Sequence, residues 1–145
     1  MGLFFQKSSA ASEDARYEAL QAEYSNYRRR TTQQLDQASQ VAARNVVQQF
    51  LPIYDDLERA LQAACQDEAF YHGIELMMQN LLSILASMKV VPMQSLGKCF
   101  NPDYHEAIEH VDDPSKQEEE IVAVIRTGFT MDEEVIRHAK VIVAN

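Results

Sequence analysis

Apolar residues between Ser12 and Leu51 recur at the three-and-four spacing of a helix. This stretch contains no Gly or Pro and is rich in Ala, Gln, Glu and Arg, which favour helix. Ser12 suits an N-cap, and Glu13 and Asp14 would follow it in the first turn. We expect residues 1–11 to be disordered. A lone helix of this length cannot bury a core against itself, so the pattern predicts self-association.

The apolar residues of this helix form two stripes that suit a paired coiled coil. The first stripe consists of Tyr17, Leu20, Tyr24, Tyr27 and Thr31. After a shift of register, the second consists of Leu35, Ala38, Ala42, Val46, Phe50, Ile53, Leu57 and Leu61. Such a shift is a stutter, which unwinds the supercoil locally. We interpret residues 12–66 as a weakly paired stalk; a single long helix within a helical bundle is the alternative.

A break and a second helix are predicted further along. Pro52 should kink the stalk helix, because it removes a backbone hydrogen bond and clashes with the carbonyl of Gln48. Residues 67–89 suit a second helix, whose apolar stripe would close a four-helix bundle with the same helices of a second copy. The expected interface between copies comprises Tyr24, Tyr27, Leu35, Phe50, Leu57, Leu61, Ile74, Met77, Leu81 and Leu85.

Residues 90–145 have the pattern of a small all-β domain. An Asn-Pro-Asp turn at residues 101–103 precedes several short apolar runs, and Gly128 marks another turn. The runs are Ala107–Val111, Ile121–Ile125, Phe129–Met131 and Val141–Ala144. The expected fold class is therefore α+β, with a long coiled-coil helix, a helical pair forming a dimeric four-helix bundle, and a C-terminal β domain.

The charge of the chain limits its partners. The 145 residues carry a formal net charge of -9, which argues against general nucleic-acid binding because phosphate contacts need a basic surface. Residues 66–145 hold 6 basic and 14 acidic residues, a net charge of -8. We expect this half to meet a basic or mixed partner surface.

The compartment is predicted from several absences. The two cysteines, Cys65 and Cys99, suit a reducing environment rather than a disulfide framework. No apolar run approaches the length of a membrane span, and Met1–Phe5 is too short for the core of a signal peptide. The expected location is cytoplasmic, without membrane association.

Two groups of residues are candidates for a catalytic or metal site. His105 and His110 almost form the H-E-x-x-H zinc motif, but a spacing of five turns the second ring about 140° away on a helix. Cys99, beside Phe100, is expected to be a small buried hydrophobe rather than a nucleophile. The four glycines are isolated, so no phosphate-binding loop is predicted. We expect no metal, cofactor or catalytic residue, and no enzymatic activity.

Several segments match the motifs of one family in order. CFNP at residues 99–102 stands for a Pro-Phe-Asp-Pro-like turn, followed by HEA at residues 105–107. Gly128-Phe129 stands for a Gly-Tyr or Gly-Phe turn, and Arg137 precedes an Ala-x-Val-x-Val strand. Upstream lie three further matches: NYRRRT at residues 26–31, FLPIYDDLERAL at residues 50–61 and GIEL at residues 73–76.

Together these motifs resemble the GrpE family, the nucleotide exchange factors of DnaK-type chaperones. The resemblance implies a homodimer whose β domain binds the chaperone's nucleotide-binding domain, opens its cleft and accelerates ADP release. Only 27 residues precede Arg28, fewer than relatives usually carry. The alternative is a coiled-coil adaptor that kept the fold and lost exchange activity. The partner-binding residues implied by position are Arg28, Gly73, Ile125, Glu134, Arg137, Lys140 and Val143.

Overall fold

The computed structural model describes the backbone of residues 2–144 and the side chains of residues 12–144. Two helices are followed by six strands, which confirms the predicted α+β class. The helices are α1 (Gly2–Gln62) and α2 (Glu68–Ser87). The strands are β1 (Val90–Pro92), β2 (His105–Val111), β3 (Ile121–Arg126), β4 (Phe129–Met131), β5 (Glu134–Arg137) and β6 (Ala139–Ala144).

Helix α1 begins at Gly2, ahead of the predicted start at Ser12 and within the stretch expected to be disordered. Residues 3–11 contain no Gly or Pro, so no helix breaker separates them from the stalk pattern. Pro52 lies inside the helix, which continues to Gln62. A kink at Pro52 stays a prediction, as do the domain boundaries.

The chain divides into two units, Met1–Ala43 and Arg44–Asn145. Within the first unit, none of the side chains described from residue 12 onward is buried. From residue 12 onward its large apolar side chains are all exposed, namely Tyr17, Leu20, Tyr24, Tyr27, Leu35 and Val41. This helical segment therefore has no core of its own among the described residues.

Helix α2 has capped ends that agree with the predicted second helix. The Asp67 carboxylate accepts hydrogen bonds from the N–H groups of Ala69 and Phe70, at 3.0 and 3.1 Å. At the other end, the N–H of Met88 donates to the carbonyl of Leu85. An N-cap carboxylate pairs with N–H groups that the first turn leaves unpaired. The backbone groups at both ends of α2 are thus partly satisfied by local hydrogen bonds.

Two three-stranded sheets form the β region, with strand orders β1-β4-β5 and β2-β6-β3. The first sheet is antiparallel throughout. In the second, β6 is central, parallel to β2 and antiparallel to β3. The sequence pattern did not predict β1 and β5, because β1 has only three residues including Pro92 and β5 begins and ends on charged residues.

The core of the second unit joins the last turns of α1 to both sheets. Leu51 and Phe129 are almost fully buried, and the Tyr54 ring meets the Phe129 ring edge-on, with centroids 5.0 Å apart. A second cluster is built from strand residues, namely Ile121, Ala139, Val141 and Val143. The end of α1 therefore packs against Phe129 of β4, while the second cluster lies within the sheet that contains β3 and β6.

Candidate partner-binding surface

A charged junction joins the end of α1 to the β region. Asp55 on α1 accepts two hydrogen bonds from the Arg137 guanidinium, at 2.9 and 2.6 Å. Arg126 on β3 donates a third, from Nε at 2.9 Å. The side chains of Asp55 and Arg137 are 17% and 9% exposed. A bidentate pair forms only when the guanidinium and the carboxylate are coplanar and close together. Because this pair is shielded from water, it holds the strands in one position against the helix.

Arg137 makes further contacts on its other side. Its Nε and Nη2 atoms donate to the carbonyl of Thr127, at 3.1 and 2.6 Å, and its guanidinium lies 5.3 Å from the Phe129 ring centroid. The Thr127 and Tyr54 hydroxyls both contact Glu58, and burial followed by the Glu58 charge raises the pKa of Tyr54. The Arg137 guanidinium is therefore held by contacts with Asp55, Thr127 and Phe129 within the single chain.

A groove of about 570 Å³ lies beside this junction. Two residues that the resemblance assigns to partner binding line it together, Ile125 and Lys140. Ile125 is 56% exposed, although its neighbours in β3 are more buried. The remaining lining residues are Pro52, Asp55, Asp56, Glu58, Arg59, Gln62, Val124 and Arg126. The groove thus combines apolar residues, of which Ile125 is well exposed, with charges of both signs.

Glu134 belongs to a different part of the second unit and does not line this groove. Its carboxylate pairs with Arg44 on α1 and is 64% exposed. Lys140 is also near a carboxylate, that of Glu106, at 3.9 Å. Arg44, Asp55 and Arg126 were not singled out from the sequence. The signal in the sequence for Asp55 is its position, with Asp56, inside an apolar run at Tyr54-Asp55-Asp56-Leu57, where a carboxylate needs a partner.

The other predicted partner-binding residues are dispersed. Val143 is 1% exposed and belongs to the strand core, so its side chain supports the sheet from within. Gly73 is exposed on α2, with open space where a Cβ would stand. Arg28 belongs to the first unit, where it lines a shallow depression with Ser25 and Thr32. A direct partner contact by each of them stays a prediction.

The residues expected between copies differ in exposure. Five are exposed in the single chain: Tyr24, Tyr27, Leu35, Phe50 and Met77. Four are partly buried: Leu57, Leu61, Ile74 and Leu81. Leu85 is 4% exposed and already packs within its own chain. Sequence spacing predicts which residues lie on one face of a helix. It does not show which of them pack within their own chain and which are left exposed for a second copy.

The candidate reactive residues adopt other roles. Cys99 is exposed, so the expectation of a buried hydrophobe was wrong, because the chain there forms a turn and only a single bridge with Glu120. His105 is buried, and its Nδ1 accepts a hydrogen bond from the Asn101 N–H at 3.0 Å. Burial, then the Lys98 and His138 charges, lower the pKa of His105. In the part of the chain that the structure describes, no three His, Cys, Asp or Glu side chains form a group suited to a metal ion.

The length and hydropathy of the helices determine whether either could span a membrane. Among residues 2–144, no helix combines the length and the apolar character needed to cross a bilayer.

The similarity of this chain to known proteins extends over most of α1, all of α2 and all six strands. The GrpE family model matches residues 5–145, which include α2 and all six strands. The protein named "Protein GrpE" from Chlorobaculum tepidum is 35% identical over 130 residues, which cover 85% of this chain and 67% of that protein. Its namesake from Lachnoclostridium phytofermentans is 34% identical over 127 residues, 86% of this chain and 57% of that protein.

A third relative, "Protein GrpE" from Chlorobium luteolum, is 36% identical over 130 residues, 85% of this chain and 66% of its own. The chain therefore spans between 57% and 67% of the length of these three relatives. The match includes both the long helix and the strands that surround the Asp55 junction. On these grounds the chain belongs to the GrpE family.

Proposed function

We propose that this chain is a nucleotide exchange factor, a co-chaperone that binds the nucleotide-binding domain of a DnaK-type chaperone and accelerates ADP release. The observation that carries the proposal is the family match over residues 5–145. It spans the long helix, α2 and the whole β region rather than one motif. Activity, partner and location are inferred from it together; the location that accords with them is the cytoplasm.

The mechanism requires no bond to be made or broken. The factor binds the open form of the chaperone cleft better than the closed, ADP-bound form, and so shifts the population towards the open form. Because linkage is reciprocal, ADP affinity falls by the same factor by which ADP weakens the exchange factor's own binding. Neither a cofactor nor enzymatic catalysis is part of this proposal.

Ile125 and Lys140 are the residues of the β region best suited to direct contact. Ile125 is an exposed apolar side chain at the edge of a groove, and Lys140 adds a positive charge there. Buried apolar anchors surrounded by polar groups commonly dominate binding energy. In this proposal, Arg137 and Val143 hold the surface in shape from below, while Glu134 makes a separate contact.

We also propose that two copies pair along α1. The supporting observation is the exposed row in the first unit, which includes Tyr24, Tyr27 and Leu35. Such a row is costly in water and is typical of a helix that packs against another chain. Arg28 on the same helix, and Gly73 on α2, would then reach the chaperone outside the β region.

Release of a fluorescent ADP analogue from a DnaK-type chaperone tests the function. We expect this protein to accelerate release by orders of magnitude at micromolar concentration. Ile125→Asp should reduce the acceleration at least about tenfold, because it places a charge in an apolar contact. Ile108→Asp is the matched control, since Ile108 is a similarly exposed isoleucine that does not line the groove.

The dimer should be verified in parallel by sedimentation. If an intact dimer leaves ADP release unchanged, the exchange proposal fails and an adaptor role becomes the better account. If Ile125→Asp and Ile108→Asp reduce release equally, exchange stands but the groove is not the contact surface.

A further inference from the structure

A second cavity of about 350 Å³ lies in the β region, lined by different residues from the groove. It is formed where the segment after β1 meets the beginning of β2 and the middle of β4. The lining includes Met93, Ser95, Lys98, Tyr104 and His105. Its volume is within the range of pockets that hold small molecules.

Ser95 gives this cavity an unusual feature. The residue is 1% exposed, and its Oγ has no hydrogen-bond partner among the described residues. Leaving a buried hydroxyl unpaired is destabilising, because the group gives up its hydrogen bonds with water. Buried polar groups in proteins are nearly always hydrogen-bonded, so an exception needs an account. A ligand that accepts a hydrogen bond from Ser95 would provide one.

His105 supplies a second donor. Its Nδ1 accepts a hydrogen bond from the backbone N–H of Asn101, so this nitrogen carries no proton. In the neutral ring the proton is therefore on Nε2, which becomes a donor. Burial and the nearby Lys98 ammonium both lower the pKa of His105 and favour the neutral form.

The charge of the lining points to the class of ligand. Lys98 is cationic, and none of the residues that line the cavity in the described part of the chain is Asp or Glu. This is unusual on a chain with a net charge of -9. The carboxylate of Glu119 approaches the rim, where its Oε2 lies 4.0 Å from the Cys99 sulfur. The Met93 and Tyr104 side chains add apolar surface.

We propose that this cavity binds a small carboxylate with an apolar body. The carboxylate accepts hydrogen bonds from Ser95 Oγ and His105 Nε2 and pairs with the Lys98 ammonium. The apolar body lies against Met93 and Tyr104. This site is separate from the proposed exchange surface, and its test requires no chaperone.

Titration of the full chain followed by amide and side-chain NMR shifts provides the test, with acetate, benzoate and 3-phenylpropionate as probes. We expect saturable binding of benzoate and 3-phenylpropionate at millimolar concentration, with shifts confined to the cavity residues. Benzamide, which has the same shape without the charge, should bind at least about tenfold more weakly, because hydrogen bonds to charged groups are the stronger ones.

Two substitutions distinguish a built site from surface attraction. Ser95→Ala should weaken benzoate at least about tenfold while leaving the melting temperature unchanged or higher, because it removes an unpaired buried hydroxyl. Lys98→Gln should also weaken it. Lys116→Gln is the control, since this lysine lies on the same β region outside the cavity and pairs with Glu120.

Several results would overturn the proposal. These are the absence of saturable binding by all three carboxylates, equal binding of benzoate and benzamide, or equal losses in Lys98→Gln and Lys116→Gln. If benzoate binds but Ser95→Ala leaves its affinity intact, the Ser95 hydroxyl serves a buried water instead, and the site as proposed is wrong.

Discussion

Residues 12–43 bury none of their large apolar side chains, whereas residues 90–144 bury several of theirs. In the helical segment, large residues such as Leu20 and Leu35 are more than 60% exposed. In the β region, residues of similar size, such as Ile121 and Phe129, are fully buried. A lone helix can turn its stripe only outward, whereas the strands bury apolar side chains against one another and, at Phe129, against Tyr54 of α1.

The contrast teaches where each region obtains its stability. The β region is stabilised by apolar contacts within one chain, so we expect that its unfolding does not depend on protein concentration. The helical segment gains little by itself, since an isolated helix in water is marginal. Its stability should rise with protein concentration if copies pair, as mass action requires. The predictions below test this division, beginning with the largest effect.

Arg137→Met should be the most damaging change to the β region. It leaves the Asp55 carboxylate with Arg126 alone and removes two hydrogen bonds to the Thr127 carbonyl. Breaking a shielded pair typically costs about 3–5 kcal/mol. Urea unfolding followed by near-ultraviolet circular dichroism measures the loss. Arg126→Met, at a more exposed arginine, is the control and should lose about 1 kcal/mol or less. Equal losses would contradict the central role of Arg137.

Gly128→Ala should destabilise the β region by about 1–3 kcal/mol, as overpacking does. A Cβ at this position would lie 2.5 Å from the backbone nitrogen of Ala139 and 2.8 Å from the Met93 sulfur. Gly73→Ala makes the same chemical change in open space on α2 and should stabilise by up to about 1 kcal/mol. Thermal unfolding of both variants measures the difference. A neutral Gly128→Ala would show that β4 and β6 can separate more easily than their spacing suggests.

Leu35→Ala addresses the helical segment. If copies pair there, the change should cost about 1–2 kcal/mol per protomer and lower the concentration-dependent transition, because buried apolar area is lost. Leu96→Ala is closely matched, since both leucines are 66% exposed in the single chain. Leu96 lies in the β region, where the change should stay within about 0.5 kcal/mol. Helix melting at several protein concentrations separates the two. Equal, small effects would argue against pairing at Leu35.

Arg44→Gln should have a smaller effect. It removes the ion pair with Glu134, whose carboxylate is 64% exposed. Exposed pairs contribute about 0–1 kcal/mol, and salt screens them. Urea unfolding at low and high salt should therefore show a loss that fades as salt is added. A loss that persists at high salt would mean that Arg44 packs against the strands through its apolar stem.

Protonation of His105 should give the smallest effect. Its pKa is lowered from 6.5 in the folded protein, mainly by burial. The unfolded chain thus binds this proton more readily, so the contribution of His105 is fully present above about pH 6.5 and is lost as the pH falls. His105→Asn keeps an acceptor for the Asn101 N–H and should flatten this part of the profile. Stability measured between neutral and mildly acidic pH tests it, and an unchanged slope would exclude His105 as the cause.

The sequence predicted much of the fold because local signals marked it. The apolar stripe predicted α2, and Gly128 marks a turn because no side chain fits beside Ala139. Short strands such as β1 and β5 lack such signals. Register and sheet order also escape sequence patterns, since the parallel pairing of β2 with β6 depends on residues far apart in the chain.

The candidate surface was less predictable for the same reason. Asp55 and Arg137 are 82 positions apart, and no spacing rule joins them. The resemblance implies a partner contact for Arg137, which stays a prediction; in the single chain its side chain is 9% exposed and pairs with Asp55. Val143 similarly belongs to the strand core. Ile125 and Lys140 do share a groove, because they lie on β3 and β6, which pair directly.

The position of β6 has a consequence for synthesis. This strand is central in its sheet, yet β2 and β3 precede it along the chain. A ribosome therefore releases both outer strands before their shared partner, and each leaves the exit tunnel with unpaired backbone groups, a state prone to aggregation. A premature stop just before the six residues of β6 would spare both helices. It would nevertheless leave β2 and β3 without the strand that joins them.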